Sequence, residues 1–564
     1  MTFSNELQGK TRMAQRTRTI VAVGAVFLAF FVLGPLAHLR FFHLMPGDLG
    51  DARLNNYFLE NTYQFLLGRS ASLWHLGFFA PFPYVLGFSD NLFGSAPVYV
   101  LARFLTGEPD TAFQLWFLVG YGLNFLAAFY ALGRLGAGPV AASVGAAVFA
   151  FALPTTAHAG HAQLHYRFGV PLAAACFVGF LERRQFRDLL AAMAWLVWQF
   201  YCGIYMGFFT MLMLGIIAFA FLLHVRWVLK NTLRSTLMAF VEGWRAQSAT
   251  IQGMQAVGLC LLIGALGILF YPYWKVTQLY GVTRPWWEVA RMLPRIQSYF
   301  LSDYSWLWAF PKARLFAHLP MRWEHQMFMG AVPMALALFG WFAGDRTKNP
   351  QSFFLMTGAL VGMVGLTLSV GPWSLWALLH KLPLFSAIRA VTRLDQVLLF
   401  PVGYFGALGV EKMKRLRAPW GGVVVGILVI LMLGEFSATS LPAKAKKEWR
   451  DRLAAKAAMM PENVSRDHLV FFAQSAEPWH EEELDAMWVC LLRGVKTLNG
   501  YSGVFPRGYR LVYGKDCSEV PRRVAAYVKF VGHEKNPHVF WGLLGRVIPI
   551  GFENCPPEWG VREK

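Results

Sequence analysis

The sequence is poor in charged residues. Only 15% of its 564 residues are Asp, Glu, Lys or Arg, whereas soluble domains carry about 25%. Hydrophobic residues make up 56% of the chain. A soluble core of that composition would have no place for its apolar surface, so an ordinary soluble protein is excluded and an integral membrane protein is predicted.

The sequence also lacks the motifs of nucleotide and hydrolytic chemistry. It contains no Walker loop, no dinucleotide fingerprint, no nucleophile elbow and no His-Glu-x-x-His pair. These absences exclude ATP coupling within the chain.

Cysteine is scarce, with six residues. Cys176, Cys202 and Cys260 lie in apolar stretches and are expected to be inert packing residues. The other three lie in the C-terminal tail, where an oxidising compartment would allow one disulfide among Cys490, Cys517 and Cys555. Three is an odd number, so the sequence leaves the pair open.

Long apolar stretches are abundant instead. A membrane span needs about 20 such residues, and the uncharged stretch 189–225 is long enough for two spans that break at Cys202-Gly203. The first stretch has no small-residue cleavage site and is expected to stay as a first span. We predict about eleven transmembrane helices, at residues 19–42, 111–133, 139–157, 166–181, 188–202, 204–225, 253–273, 326–344, 351–371, 394–410 and 419–435. Residues 92–106 are expected to form an interfacial or re-entrant helix.

The formal net charge of +20 would suggest nucleic acid in a soluble protein, but in a membrane protein it reflects the excess of basic residues on the cytoplasmic side. Five basic clusters fall on one side of the predicted spans: Lys10, Arg12, Arg16 and Arg18; Arg183, Arg184 and Arg187; Arg226, Lys230 and Arg234; Arg346 and Lys348; Lys412, Lys414, Arg415 and Arg417. We therefore predict a cytoplasmic N-terminus (1–18), a membrane domain (19–436) with outside loops at 43–110 and 274–325, and an outside C-terminal domain (437–564). Its turn signals suggest a small α/β fold, beginning with a helix over 444–456.

Two carboxylates stand at the start of the first outside loop. Asp48 and Asp51 lie three residues apart in the segment from Gly47 to Asn56, before an amphipathic helix over 51–68. A partly desolvated carboxylate can act as a general base, and two together can hold a divalent cation such as Mg or Mn. The alternative is that either residue caps the helix.

The second outside loop is basic and rich in tryptophan, with Arg284, Arg291, Arg295, Lys312, Arg314, Arg322, Trp286, Trp287, Trp306 and Trp308. Arginine suits phosphate and tryptophan suits the lipid interface and sugar faces, so a lipid phosphate or ordinary anionic lipids are expected here. Glu324 and His325 lie at the end of this loop. Either residue can orient a substrate or join a metal site, and a glutamate at a helix start can instead complement the helix dipole.

Two further groups face the outside. One is the set His158, His161, Gln163, His165 and Arg167, whose irregular spacing does not favour zinc but suits hydrogen bonds to a phosphate or hydroxyls. The other is Arg389, which can contact a phosphate or extend to lipid head groups.

These features resemble the GT-C superfamily of membrane glycosyltransferases, and most closely bacterial GT-C-like and YfhO-like proteins. The segments that carry the resemblance are Gly47 through Arg53, His161-Ala162-Gln163, Leu382-Pro383 through Arg389 to Arg393, and Asn499 through Gly503 with Pro506.

The resemblance implies a polyprenyl-phosphate sugar as donor and a glycan, lipid or protein as acceptor, at the outer face of a bacterial inner membrane, without nucleic acid. It implies that Asp48 or Asp51 is the base of an inverting transfer, and that some relatives bind a divalent cation there. Residues expected to contact substrate or phosphate are Arg53, His161, Arg284, Arg291, Arg295, Arg322, Glu324, His325 and Arg389.

Two other functions are open: a transporter or lipid flippase, and a non-catalytic envelope scaffold. A transporter predicts ionisable residues deep in the spans or inverted repeats, whereas the charges here cluster at span ends.

Overall fold

The computed structural model describes residues 2–309, 316, 318–415, 420–474, 478–509 and 514–556, with side chains from residue 16 onward. The predicted contacts Lys312 and Arg314, the basic residue Arg417, the turn residue Tyr513 and the C-terminal Lys564 lie outside these ranges.

Helices dominate the chain up to residue 437. In the first half they are α1 (Thr2–Phe31, extended by the π-helical turn Val32–Leu36), α2 (Asp51–Leu66), α3 (Ala96–Thr106), α4 (Pro109–Arg134), α5 (Pro139–Phe151), α6 (Leu153–Ala157), α7 (Gly169–Arg183), α8 (Phe186–Cys202), α9 (Ile204–Leu223) and α10 (Leu233–Arg245). They continue with α11 (Ala249–Tyr280), α12 (Trp286–Ala290), α13 (Ala331–Ala343), α14 (Pro350–Thr367), α15 (Trp376–Leu379), α16 (Asp395–Lys414) and α17 (Trp420–Ser437).

Eleven predicted spans coincide with helices, namely α1, α4, α5 with α6, α7, α8, α9, α11, α13, α14, α16 and α17. Eight stretches in the described part of the chain are long and apolar enough to cross a membrane. The other three are α8 and α13, which have 17 and 13 residues, and α16, which carries charged residues at both ends. The predicted all-α polytopic membrane fold is confirmed.

The described part of the tail contains four helices and a small sheet. The helices are α18 (Lys446–Ala458), α19 (Trp479–Arg493), α20 (Glu519–Phe530) and α21 (Pro537–Leu544). Strands β3 (Leu469–Phe472), β4 (Lys496–Thr497) and β5 (Val547–Ile550) form a parallel sheet in the order β4-β3-β5. The predicted α/β tail is thus observed, and its disulfide joins Cys517 to Cys555 while Cys490 is a buried thiol.

The tail is joined to the first outside loop by a short ribbon. Strand β1 (Leu44–Pro46) pairs antiparallel with β2 (Ala443–Ala445), with Met45 opposite Lys444. The backbone N–H of Gly47 also donates to the Pro442 carbonyl at 2.7 Å. The start of the acidic segment is therefore fixed to the start of the tail.

Helix α2 is buried rather than interfacial. The sequence predicts an amphipathic helix with one apolar face, but every residue from Ala52 to Asn61 is buried. The reason is that its polar side chains have partners on several sides: Arg53 forms an ion pair with Asp485 of the tail, whose Trp488 indole N–H donates to the Arg53 carbonyl, and Glu60 accepts from Arg103 of α3. Polar residues on this helix stabilise a domain contact.

Helix α16 packs closely against two neighbours through glycines. A Cβ on Gly403 would lie 2.5 Å from the Gly145 carbonyl oxygen of α5, and one on Gly409 would lie 2.6 Å from the Leu336 carbonyl oxygen of α13. Small residues allow such close backbone approach between membrane helices. The packing holds α16 in place, and its first residue, Asp395, follows closely after Arg393.

Candidate active site

The acidic segment places its two carboxylates in different environments. Asp48 Oδ1 accepts hydrogen bonds from the backbone N–H groups of Gly50 (3.1 Å) and Ala52 (3.4 Å). This is a capping role, because the first N–H groups of a helix have no partner within the helix. Gly47, with φ +82°, makes the preceding turn, and a Cβ there would collide with Ala52 at 2.3 Å.

Asp51 is half-exposed and faces side chains from other segments, whereas Asp48 is exposed. Asp51 Oδ1 accepts a hydrogen bond from the Tyr501 hydroxyl at 2.8 Å, and its Oδ2 lies 4.0 Å from His161 Nε2. Its side chain is 35% exposed. Burial and the neighbouring Asp51 charge raise the pKa of Tyr501, so its phenol stays protonated and donates.

A buried ion pair lies beside His161. Glu324 accepts two hydrogen bonds from Arg393, at 2.8 and 3.0 Å, and lies 3.3 Å from His161 Nε2. Burial opposes ionisation of Glu324, but Arg393 and His161 outweigh it and hold the pKa of this carboxyl well below its usual range. The Arg393 guanidinium also lies 5.1 Å from the ring centre of Tyr205. Because each of these charges is paired, the position of His161 beside Asp51 is fixed.

Further polar contacts surround this centre. Asn55 Nδ2 donates to Gln163 Oε1 at 2.8 Å, and His158 Nε2 lies 3.2 Å from Asp395 Oδ2. His165 and Arg167 are buried against backbone carbonyls, so of the predicted histidine group only His161 and Gln163 border the acidic segment.

Two arginines form a partly exposed basic edge. Arg284 and Arg389 both contact Glu288, at 3.4 and 3.5 Å. Arg284 Nη2 also donates to the Gly503 carbonyl at 3.2 Å, and the positive charge of Arg389 acts on Tyr501. Two cations share one carboxylate here, so the edge keeps an excess of positive charge near Tyr501.

Several other residues that were predicted to contact substrate instead bond to groups within the protein. Arg53 is buried in its ion pair with Asp485, and Arg322 donates to both oxygens of Asp303 at 2.8 Å. His325 is buried, with its ring nitrogens 2.7 Å from the Ser298 hydroxyl and 3.0 Å from the Arg291 carbonyl. Burial lowers the pKa of His325, which favours the neutral ring. The side chains of Arg291 and Arg295 lie at the surface, exposed and half-exposed respectively.

A metal site at the acidic segment stays a prediction. Among the described residues, no group of three or more His, Cys, Asp or Glu side chains is arranged to hold an ion. Asp48 and Asp51 remain the two oxygen donors proposed for it.

An apolar groove of about 740 Å³ lies at the other end of α2, between α2, α3 and α11. Its lining includes Tyr63, Leu66, Trp74, Phe93, Val100 and Tyr201. Its first lining residue on α2, Thr62, follows Asp51 by 11 residues, which is about 16 Å along the helix at 1.5 Å per residue.

The turn between α8 and α9 lies between the apolar groove and the residues around the acidic segment. The Gly94 N–H donates to the Tyr201 carbonyl at 2.7 Å, and Asp90 Oδ1 accepts from the Ile204 N–H at 2.5 Å. A Cβ on Gly203 would lie 2.8 Å from the Gln163 carbonyl, which explains the break at this glycine. Burial raises the pKa of Asp90 to about 6, although Ile204 and Arg393 favour the anion.

Sequence reasoning did not assign roles to Arg393, Tyr501, Glu288 or Asp395. Arg393 and Tyr501 lie in segments that carry the family resemblance, and a charged residue at the start of a span was the available signal for Arg393. Their partners Glu324 and Asp51 are 69 and 450 residues away, which sequence spacing does not reveal.

No protein-family model matches the chain, and no curated protein matches it in sequence. Similar solved structures include the arabinofuranosyltransferase AftD from Mycobacteria, with 14% identity, a TM-score of 0.37 and coverage of 82% of this chain. Only 30% of the AftD chain is spanned.

ArnT from Cupriavidus metallidurans is also similar. The apo structure has 11% identity and a TM-score of 0.47 over 87% of each chain, and the structure bound to undecaprenyl phosphate has 11% identity and a TM-score of 0.43 over 86% of this chain and 89% of ArnT. At these values the likeness assigns neither a residue nor a substrate to this chain.

Proposed function

We propose that this protein transfers a sugar from a polyprenyl-phosphate donor to an acceptor hydroxyl at the outer face of the cytoplasmic membrane, with inversion. The observation that carries the proposal is the meeting of Asp51, His161, the Glu324–Arg393 pair and Tyr501 at one end of the helix bundle. These residues come from the first outside loop, the α6–α7 connection, the second outside loop, the turn before α16 and the tail.

Asp51 is the proposed general base. Its carboxylate takes the proton of the acceptor hydroxyl, the acceptor oxygen attacks the anomeric carbon, and the bond from that carbon to the phosphate oxygen breaks. Asp48 is the weaker candidate, since its Oδ1 already accepts two backbone N–H groups. Tyr501 and His161 orient the Asp51 carboxylate toward the acceptor.

The leaving polyprenyl phosphate needs charge stabilisation rather than a proton, because it departs as a stable anion. Arg389 and Arg284 supply this stabilising positive charge, since both are partly exposed and share the single carboxylate of Glu288. Fixed positive charge near the developing anion lowers the barrier without reorganisation. A divalent cation on Asp48 and Asp51 would add to this charge.

The apolar groove supports a lipid-linked donor. Its lining is aromatic and aliphatic, and it opens beside α3 and the largely lipid-exposed α11. We propose that this groove holds the isoprenoid chain of the donor.

The test is transfer of radiolabelled sugar from a panel of polyprenyl-phosphate donors into an envelope-glycan extract, with membranes carrying wild type, Asp51→Asn or Asp48→Asn. We expect Asp51→Asn to lower the initial rate by about 10²- to 10⁴-fold, the usual contribution of a general base. Asp48→Asn should retain most of the rate, because asparagine keeps a capping oxygen.

Asp451→Asn is the matched control, since this carboxylate lies on the exposed side of α18 and is 65% exposed. Wild-type activity in Asp51→Asn would remove it as the base. No transfer by wild type from any donor would overturn the proposed reaction and favour transport or scaffolding.

A further inference from the structure

We propose that the tail carries a carbohydrate-binding ledge, formed by Trp479, His480 and Tyr501, that takes a sugar ring of the acceptor beside Asp51. The inference rests on the proposed function, for which it selects a glycan over a lipid alcohol or a protein side chain.

The three rings of this ledge contact one another and reach the acidic segment. Ring centres are 5.9 Å apart for Trp479 and Tyr501, 5.6 Å for His480 and Tyr501, and 5.5 Å for Trp479 and His480. All three side chains are half-exposed. On the other side, the Tyr501 hydroxyl donates to Asp51, and a Cβ on Gly50 would lie 3.4 Å from the His480 ring. The ledge therefore borders the proposed base directly.

The tail holds the ledge through a buried polar network behind it. Asn499 accepts from the Phe472 N–H at 2.8 Å and donates to the Phe472 carbonyl at 3.0 Å, which ties the loop to β3. The Gly500 N–H donates to the buried Glu483 at 2.5 Å. A Cβ on Gly500 would lie 2.2 Å from the Phe79 ring, so only glycine allows this approach to the first loop. Tyr501 is thus positioned by both domains.

The chemistry of the ledge suits a sugar. An aromatic ring presents an electron-rich face, and the C–H groups on one side of a sugar ring pack against such a face while its hydroxyls stay free. A sugar ring packed on Trp479 would direct its hydroxyls toward Asp51 and toward the polar edges of His480 and Tyr501. A lipid alcohol would instead favour a wholly apolar surface, and the apolar groove is at the far end of α2.

Binding is tested without catalysis by saturation-transfer NMR on the full-length protein in nanodiscs. The probes are methyl hexopyranosides and methyl pentofuranosides, with decanol-saturated micelles and an Ala-Ser-Ala peptide as the lipid and protein alternatives. We expect a saturation signal from at least one glycoside with wild type and a reduction of at least about fivefold with Trp479→Ala.

Trp541→Ala is the matched control, because this tryptophan of the same domain is 61% exposed and lies on α21. It should retain the signal. An unchanged signal with Trp479→Ala, or a wild-type signal only from the alcohol or the peptide, or from no probe, would overturn the ledge.

The transfer assay separates this inference from the proposed function. Trp479→Ala should raise the apparent KM for the acceptor extract by about tenfold and leave the apparent KM for the donor lipid unchanged. If wild type transfers sugar and the acceptor KM is unchanged in Trp479→Ala, the ledge is not the acceptor site, and the proposed transferase activity stands. Glycoside binding without transfer from any donor would overturn the proposed transferase activity.

Discussion

At the scale of single residues, the charged side chains divide into those that hold the fold and those that face the site. Arg53 was predicted to contact substrate, yet it is buried between Asp485 and the Trp449 ring, 5.2 Å from the ring centre. Asp485 is shared with Arg452 at 2.8 Å. Arg53 therefore joins the first loop to the tail.

We expect Arg53→Met to lower the free energy of unfolding by about 3–5 kcal/mol, because removing one partner leaves the buried Asp485 charge undercompensated. Fluorescence-detected thermal unfolding in detergent measures the change. The double variant Arg53→Met, Asp485→Leu should recover part of the loss, since it removes both charges.

Lys447→Met is the control for this change. Lys447 pairs with Asp451 at the surface, with 88% and 65% of the two side chains exposed, and such pairs contribute little. An equal melting temperature for Arg53→Met and wild type would mean that the ion pair does not hold the tail.

At the scale of elements, α16 links the packing of the membrane domain to the site. Its glycines approach α5 and α13, and the turn before its first residue carries Arg393. A change in the middle of this helix should therefore reach the Glu324–Arg393 pair at its outer end.

We expect Gly403→Val to cost about 1–3 kcal/mol, as overpacking does, because a Cβ would lie 2.5 Å from the Gly145 carbonyl oxygen. The transfer rate should fall with it, since Arg393 is displaced. Thermal unfolding and the transfer assay provide the two measurements.

Gly406→Val provides a matched control on the same helix. A Cβ at Gly406 meets nothing within 4 Å, and the change in intrinsic helix propensity from glycine to valine is the same for both substitutions. Equal effects of the two variants would show that helix propensity, rather than the α5–α16 approach, sets the cost.

At the scale of the whole molecule, the disulfide and the charge pattern agree about orientation. Disulfides persist in oxidising compartments, and the Cys517–Cys555 bond lies in the tail. The sequence places the basic clusters at the opposite ends of the predicted spans, as the positive-inside rule leads us to expect. Both support a cytoplasmic N-terminus and an outside tail.

Labelling with a membrane-impermeant maleimide tests this orientation in intact spheroplasts, in a Cys260→Ser background because Cys260 is exposed on α11. We expect Lys447→Cys on α18 to react at once and Arg245→Cys on α10 to react only after permeabilisation. The reverse pattern would place the tail and the site in the cytoplasm.

The sequence by itself determined the class of the molecule. Apolar stretches of about 20 residues dictate membrane helices because the bilayer core offers no partner for exposed backbone groups. The break at Gly203 was predictable for the same local reason, as a 37-residue uncharged stretch exceeds one bilayer crossing. The acidic segment could be found because Asp48 and Asp51 are neighbours in the chain.

Only the tertiary structure decided which polar residues form the site. Arg53 lies within the acidic segment but points away from Asp51, because successive residues of a helix point in different directions. Tyr501 and Glu324 meet the same centre from distant parts of the chain. Such contacts depend on how the tail and the bundle dock, which local hydrophobic pattern does not encode.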